Sequence, residues 1–131
     1  MASIRKEIFI AVPPPQLWDA MRDVGALHTR LVSGFVTDCR LDGDARIVTF
    51  SNGIVARELI VDIGDAARRL VWSVVGGRMT HHNASLQVFA DGESRSRVVW
   101  IADLLPDALA PAIGAMIEQG LAAMKATLER A

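Results

Sequence analysis

Hydrophobic and polar positions alternate with a period of two along most of this chain and switch to helical spacing in two places. The opening run "IRKEIFIAV" alternates as a strand. "PPP" at 13 to 15 ends it, because proline cannot donate to a sheet ladder but fits the first turn of a helix. The helix expected next, "PQLWDAMRDV", lines up Leu17, Ala20, Met21 and Val24 before Gly25 interrupts it, and "ALHTRLV" predicts a second short helix. From Gly34 to Leu105 come short β-rich runs, "GFVTDCRL", "ARIVTF", "IVARELIVDI", "RLVWSVV", "HNASLQVF" and "RVVWIADLL", divided by turn sequences such as "DGD", "SNG" and "DGES". Links this short permit only antiparallel neighbours.

The last 25 residues return to helical spacing. Leu109, Ile113, Met116, Ile117, Gly120, Leu121, Met124 and Leu128 share one side, and Asp107, Glu118, Lys125 and Glu129 the other, so this helix is expected to lie against the sheet. Pro111 fits only its first turn, which puts the start near Ala108 to Ala110. The order is β, α, α, five or six antiparallel strands, then one long α, an α+β layout over residues 1–131 as a single domain.

Alternation also assigns faces. In "SRSRVVWIADLL", Val98, Trp100, Ala102 and Leu104 fall opposite Arg95, Arg97 and Asp103 and are expected inside. The same test turns Leu70, Trp72 and Val74 inward, and His82, Ala84, Leu86 and Val88, leaving His81, Asn83, Ser85 and Gln87 outside; Phe35 and Cys39 are further inward candidates. "IVARELIVDI" resists, since both parities carry charge, and Leu59 and Val61 are taken as its inward residues. Glu58 and Arg57 must each find a cross-strand partner, and surface ion pairing is the expected use.

Composition changes this picture little. Apolar residues make up 51% and charged ones 22%, enough for a packed core. A net charge of -1 with scattered basic residues gives no nucleic-acid footprint. No uncharged stretch is long enough to span a membrane, and "MASIRKEIFIAV" has no signal-peptide pattern, which points to a cytoplasmic protein. The one cysteine, Cys39, has no partner for an internal disulfide or at metal-ligand spacing and reads as a buried bystander.

The adjacent histidines of "RMTHHNASLQVF" cannot readily share a metal ion, because neighbours in a strand point to opposite faces. Neither a metal nor a cofactor is expected. No GxSxG, phosphate loop or paired inward carboxylates are present, so the sequence does not establish an enzyme.

Three stretches carry a resemblance that spans nearly the whole chain. "VPPPQLWDAMRDVGALH", "SNGIVARELIVDIGDAARRLVWSVVGG" and "SRVVWIADLLPD" resemble, in that order, the strand exit and helix start, the central hairpin and the penultimate strand of the helix-grip superfamily. That superfamily includes birch-pollen-allergen-like proteins, START lipid-transfer domains and the polyketide cyclase/dehydrase-like family. The resemblance implies a curved antiparallel sheet of six to seven strands wrapped around the long C-terminal helix, with a cavity between them for a hydrophobic or aromatic small molecule. Such a void has a cost that argues for an occupant: about 300 Å³ left empty would nominally cost about 7 kcal/mol. The residues assigned to it are Phe35, Leu59, Val61, Trp72, His82, Leu86, Trp100, Ile113, Met116, Gly120 and Met124. His82 falls where relatives often carry a tyrosine. It is the one catalytic candidate, as general acid or base of a cyclase or dehydratase, while a strand-end histidine bonded to backbone or water is the plainer alternative. Binding or transport of the small molecule is the first reading and that enzyme the second. A protein-interaction module of the Hsp90-activator or ubiquinone-binding kind is the third, and a homodimer is admitted among the partners.

Overall fold

In the computed structural model, which describes residues 1–131, β1 (Ala2–Ile10) leads into α1 (Pro14–Arg22). Then follow β2 (Val36–Asp42), β3 (Ala45–Phe50), β4 (Val55–Gly64), β5 (Arg69–Val75), β6 (His81–Ala90), β7 (Ser96–Leu105) and α2 (Ala110–Arg130). The seven strands form one antiparallel sheet in the order β1-β7-β6-β5-β4-β3-β2, so the first strand pairs with the last and β2 is the far edge. Curved under the long helix, this is the helix-grip arrangement that the sequence resembles. No helix is long and apolar enough to cross a membrane.

Proline at the first turn starts α1, and Leu17, Trp18, Ala20 and Met21 are buried beneath it. Trp18 Nε1 and Arg22 Nε both donate to Asp65 Oδ1 at 2.9 Å, which fastens α1 to the turn between β4 and β5. These bonds hold the Asp65 carboxyl below its ordinary value. The second helix expected at "ALHTRLV" is instead a 3₁₀ turn (Val24–Ala26) followed by a single π turn (Leu27–Leu31). Gly25 accounts for part of the difference: a Cβ there would stand 3.0 Å from Leu41 Cγ, so the backbone runs hard against β2 rather than continuing as a free helix.

α2 lies along β1 and the π turn. Its polar side supplies the fastenings: Lys6 Nζ meets Glu118 Oε1 at 2.8 Å, and Glu129 Oε2 accepts from the Ala11 amide at 2.8 Å and from Lys125 Nζ at 2.6 Å. Near its C-terminal end Thr127 Oγ1 accepts from the Ser33 amide at 3.0 Å. Its apolar side buries Ile117, Leu121, Met124 and Leu128. At Gly120 the helix backbone passes directly over β7, where a Cβ would stand 2.8 Å from Trp100 Cζ3 and 3.2 Å from Phe35 Cε2.

The inward assignment of Leu59 and Val61 is corrected. Val61 is 61% exposed and Leu59 is also exposed, while Ala56, Glu58 and Ile60 turn inward. The inward parity is the one that carries Glu58, bonded to its cross-strand partner Arg46, and a β-bulge at Val61 (Ile60 pairs with Trp72 and Asp62 with Val71) breaks the alternation only beyond it, so that Ile63 follows Ile60 inward. Glu58 is therefore no surface carboxylate. It sits opposite Arg46 on β3, and Arg46 Nε donates to Glu58 Oε1 at 2.8 Å with side-chain exposures of only 2% and 8%. Arg57, on the other parity, does pair at the surface, with Asp42 at 2.6 Å. Ser85, placed outside by alternation, is buried on its own face by neighbouring strands.

Two stability measurements follow. Glu58→Leu strands a buried guanidinium and should cost about 3–5 kcal/mol, whereas Glu58→Leu with Arg46→Met should recover most of that in urea denaturation. Equal losses in the single and double variants would mean that the pair is not a closed unit. Gly120→Ala should lower the urea midpoint, because overpacking against Trp100 at about 1–3 kcal/mol exceeds the gain of up to about 1 kcal/mol in helix propensity. A raised midpoint would mean that the helix can lift off Trp100 freely.

Candidate functional site

A cavity of about 550 Å³ lies between α2 and the face of the sheet formed by β3 to β7. Of its 30 lining residues 22 are hydrophobic, so its occupant must present an apolar surface. Exposed lining residues from the β3–β4 turn (Asn52, Ile54), the β5–β6 loop (Gly76, Gly77, Arg78) and one side of α2 (Ala112, Gln119) mark its mouth. Gly76 and Gly77 both have positive φ, 81° and 77°, so the loop at the mouth bends in a way that side chains would resist.

Of the residues assigned to the cavity from sequence, the structure places Phe35, Trp72, His82, Leu86, Trp100, Ile113, Met116 and Met124 on its wall. Gly120 stands directly behind it, against Trp100 and Phe35. Leu59 and Val61 lie on the opposite face of the sheet, for the parity reason given above. Sequence reasoning missed Arg46, Glu58, Phe50, Val74 and Met79 as wall residues. A usable signal existed for the first two: opposite charges, each flanked two residues away by apolar neighbours (Val48; Ala56 and Ile60), on adjacent short strands.

Trp72 and Trp100 meet edge to face, with centroids 5.7 Å apart at 66°, and Phe35 and Phe50 do the same at 5.4 Å and 75°. The Arg46 guanidinium carbon lies 5.5 Å from the centre of the Trp72 ring, and its Nη1 donates to the Val24 carbonyl at 3.4 Å. The pair Arg46–Glu58 thus puts two mutually neutralising charges into an otherwise apolar wall.

His82 is 6% exposed, and its Nδ1 has no hydrogen-bond partner; nor has Nε1 of Trp100, which is 9% exposed. Burial first, and the nearby His81 second, push the His82 imidazole below its ordinary value of 6.5, which favours the neutral ring. His81 points to the other face, and no three His, Cys, Asp or Glu side chains converge as a metal site would require. Cys39 is buried, its thiol pushed up chiefly by that burial, and Sγ lies 3.5 Å from the Val24 carbonyl. A second, more open hollow of about 470 Å³ between β1 and α2 is lined by Ser3, Arg5, Lys6 and Glu118 among others; its wall is polar and lacks the aromatic lining.

The chain was compared with known proteins. No curated protein matches it. A Bacillus thuringiensis protein superposes with a TM-score of 0.86 at 18% identity, covering 97% of this chain and 98% of that one. A Thermobifida fusca protein reaches 0.81 at 26% identity, covering 99% and 95%. Norcoclaurine synthase from Thalictrum flavum, solved in complex with dopamine and hydroxybenzaldehyde, reaches 0.72 at 15% identity, covering 98% and 84%. A family model described as "Polyketide cyclase / dehydrase and lipid transport" matches residues 1–129, almost the full length that the fold and its cavity occupy. The chain belongs to that polyketide cyclase / dehydrase and lipid transport family.

Proposed function

We propose that this protein binds a hydrophobic or aromatic small molecule between α2 and the sheet, as a carrier or sequestering protein. The observation that carries the reading is the cavity of about 550 Å³, its wall mostly apolar and its mouth open. Its size falls within the roughly 300–1,000 Å³ of small-molecule sites. The edge-to-face aromatic pairs offer flat surfaces at two places on the wall. The Thalictrum flavum synthase, which shares the fold, takes two small aromatic compounds, and this supports an aromatic ligand here.

A second reading, a cyclase or dehydratase with His82 as proton acceptor, draws on one observation. A buried imidazole whose Nδ1 is unpartnered stands on the cavity wall. Held neutral by burial, it has a lone pair to accept a proton from a bound substrate. The two readings part at His82→Phe: a carrier keeps most of its affinity, while an enzyme of this kind loses turnover by roughly 10²-fold or more.

Native mass spectrometry of the protein purified without denaturant should show a defined small molecule that is lost on unfolding. Met116→Trp, which fills the cavity from α2, should abolish that mass while leaving the circular dichroism unchanged. An apo mass for the wild type, with no gain on adding aromatic compounds, would remove the binding reading.

The buried histidine also sets a pH dependence. With its folded value depressed, His82 contributes stability that is fully present above about pH 6.5 and is lost as pH falls below that, because the unfolded chain takes up the proton first. His82→Phe should therefore flatten the loss of thermal stability between about pH 7 and pH 5. Parallel profiles for wild type and variant would show that the imidazole is not desolvated in solution.

A further inference from the structure

The two edges of the sheet are finished differently. α2 lies along β1 and ties to it at Lys6. β2 pairs with β3 and meets the 3₁₀ and π turns on its inner side, where Cys39 Sγ lies 3.5 Å from the Val24 carbonyl and Leu41 stands against Gly25. Beyond β3, no backbone hydrogen bond reaches residues 37–42. The outer edge of β2 is thus a row of unpaired N–H and C=O groups, to which another strand can add.

The outer face of β2 carries Asp38, Arg40 and Asp42, paired across the ladder with Thr49, Ile47 and Ala45. Asp42 is taken by Arg57, while Asp38 and Arg40 are exposed and form no ion pair within the chain. Charges on an edge commonly keep other strands away. These two alternate in sign, so against a second, antiparallel β2 they favour one register and oppose its neighbours. With a two-fold axis at Cys39, Val36–Asp42 overlaps its copy over all 7 residues, and Asp38 of each chain faces Arg40 of the other on one side of the sheet. Moving the axis by one residue sets Asp38 against Asp38, or Arg40 against Arg40 and Asp38 against Asp42, and like charges directly opposite destabilise the pair. The bulge between Val36 and Asp38 lies outside the central pairs.

We infer that the β2 edge is an interface for a second copy of this chain, two protomers joining β2 to β2 about Cys39 with reciprocal Asp38–Arg40 contacts. Such a pairing is isologous and closed, and it continues one sheet into the other. It goes beyond the binding reading and does not depend on it. The cavity mouth lies toward the Val36 end of β2, beside the β3–β4 turn, so antiparallel pairing leaves the two mouths open in opposite directions.

Sedimentation equilibrium of the full chain, over about three decades of concentration up to about 1 mM, tests it. The wild type should show a monomer–dimer equilibrium that weakens as salt rises. Arg40→Asp and Asp38→Arg each turn two attractive contacts into repulsive ones and should each weaken the dimer roughly tenfold or more. The double variant, Asp38→Arg with Arg40→Asp, restores opposite signs across the axis and should return the dimer to within about threefold of wild type. Both side chains are exposed, so circular dichroism should show all three variants folded. The register has its own readout: under mild oxidation a mixture of Asp38→Cys and Arg40→Cys proteins should form a disulfide-linked dimer that neither forms alone, because only positions 38 and 40 stand opposite each other. A monomer at every concentration overturns the inference. So does a dimer that withstands both single reversals or that the double reversal fails to restore, since its interface then lies elsewhere on the surface.

Discussion

The indole of Trp100 beneath Gly120 sets how α2 meets the sheet. A helix resting on a sheet normally keeps its distance by interleaving side chains from both surfaces. Here one large ring from β7 meets bare helix backbone, and any Cβ at position 120 would overlap it. The polar ties of α2 lie on the β1 side, at Lys6, Phe9 and Ala11, and at Ser33 after the π turn. With the helix fastened along one edge and propped on an indole, the concave face of β3 to β6 is left uncovered beneath it. The cavity is the space that this asymmetry leaves.

Filling such a space with hydrophobic side chains would be the stable solution, and the chain does not take it. Short residues occur where long ones would close the gap: Gly76 and Gly77 at the mouth, Ala112 and Ala115 on α2. The methionines at 116 and 124 line the same wall, and their unbranched thioether chains can repack without a fixed shape. The aromatic pairs are the rigid parts, and one ring from each, Phe35 and Trp100, meets the helix at Gly120.

Much of this was legible in the sequence, for identifiable reasons. In β7 the alternation of Val98, Trp100, Ala102 and Leu104 is undisturbed, and all four are buried. The helical spacing of α2 was equally plain, because one strip of the helix faces the core for its full length. β4 defeated the same test because its inward parity carries the charge of Glu58, neutralised by Arg46 from β3, and because the extra residue at Val61, which nothing in "IVARELIVDI" marks, moves the later side chains to the other face. The π turn was hidden as well: "ALHTRLV" has helical composition, and only the contact of Gly25 with Leu41, remote in sequence, shows why the chain turns there. Phe50 and Met79 were missed because Phe50 is the last residue of β3 and Met79 lies in the loop before β6, where parity gives no guide, whereas Val74 was turned inward by parity but not assigned to the cavity.

The buried charged pair is the least expected part of the wall, and it has a use that an apolar pair would lack. Two charges that bond each other add a local dipole with no net charge, and Arg46 also lies near the Trp72 ring and reaches the Val24 carbonyl. The guanidinium thereby links β3 to β4, β5 and the turn after α1 across the floor of the cavity. An arrangement of hydrophobic side chains could fill that place but could not fix relative orientation through directed bonds. A floor held this way keeps its form when the space above it is empty or full, and this lets a cavity persist next to a helix that is fastened along only one side.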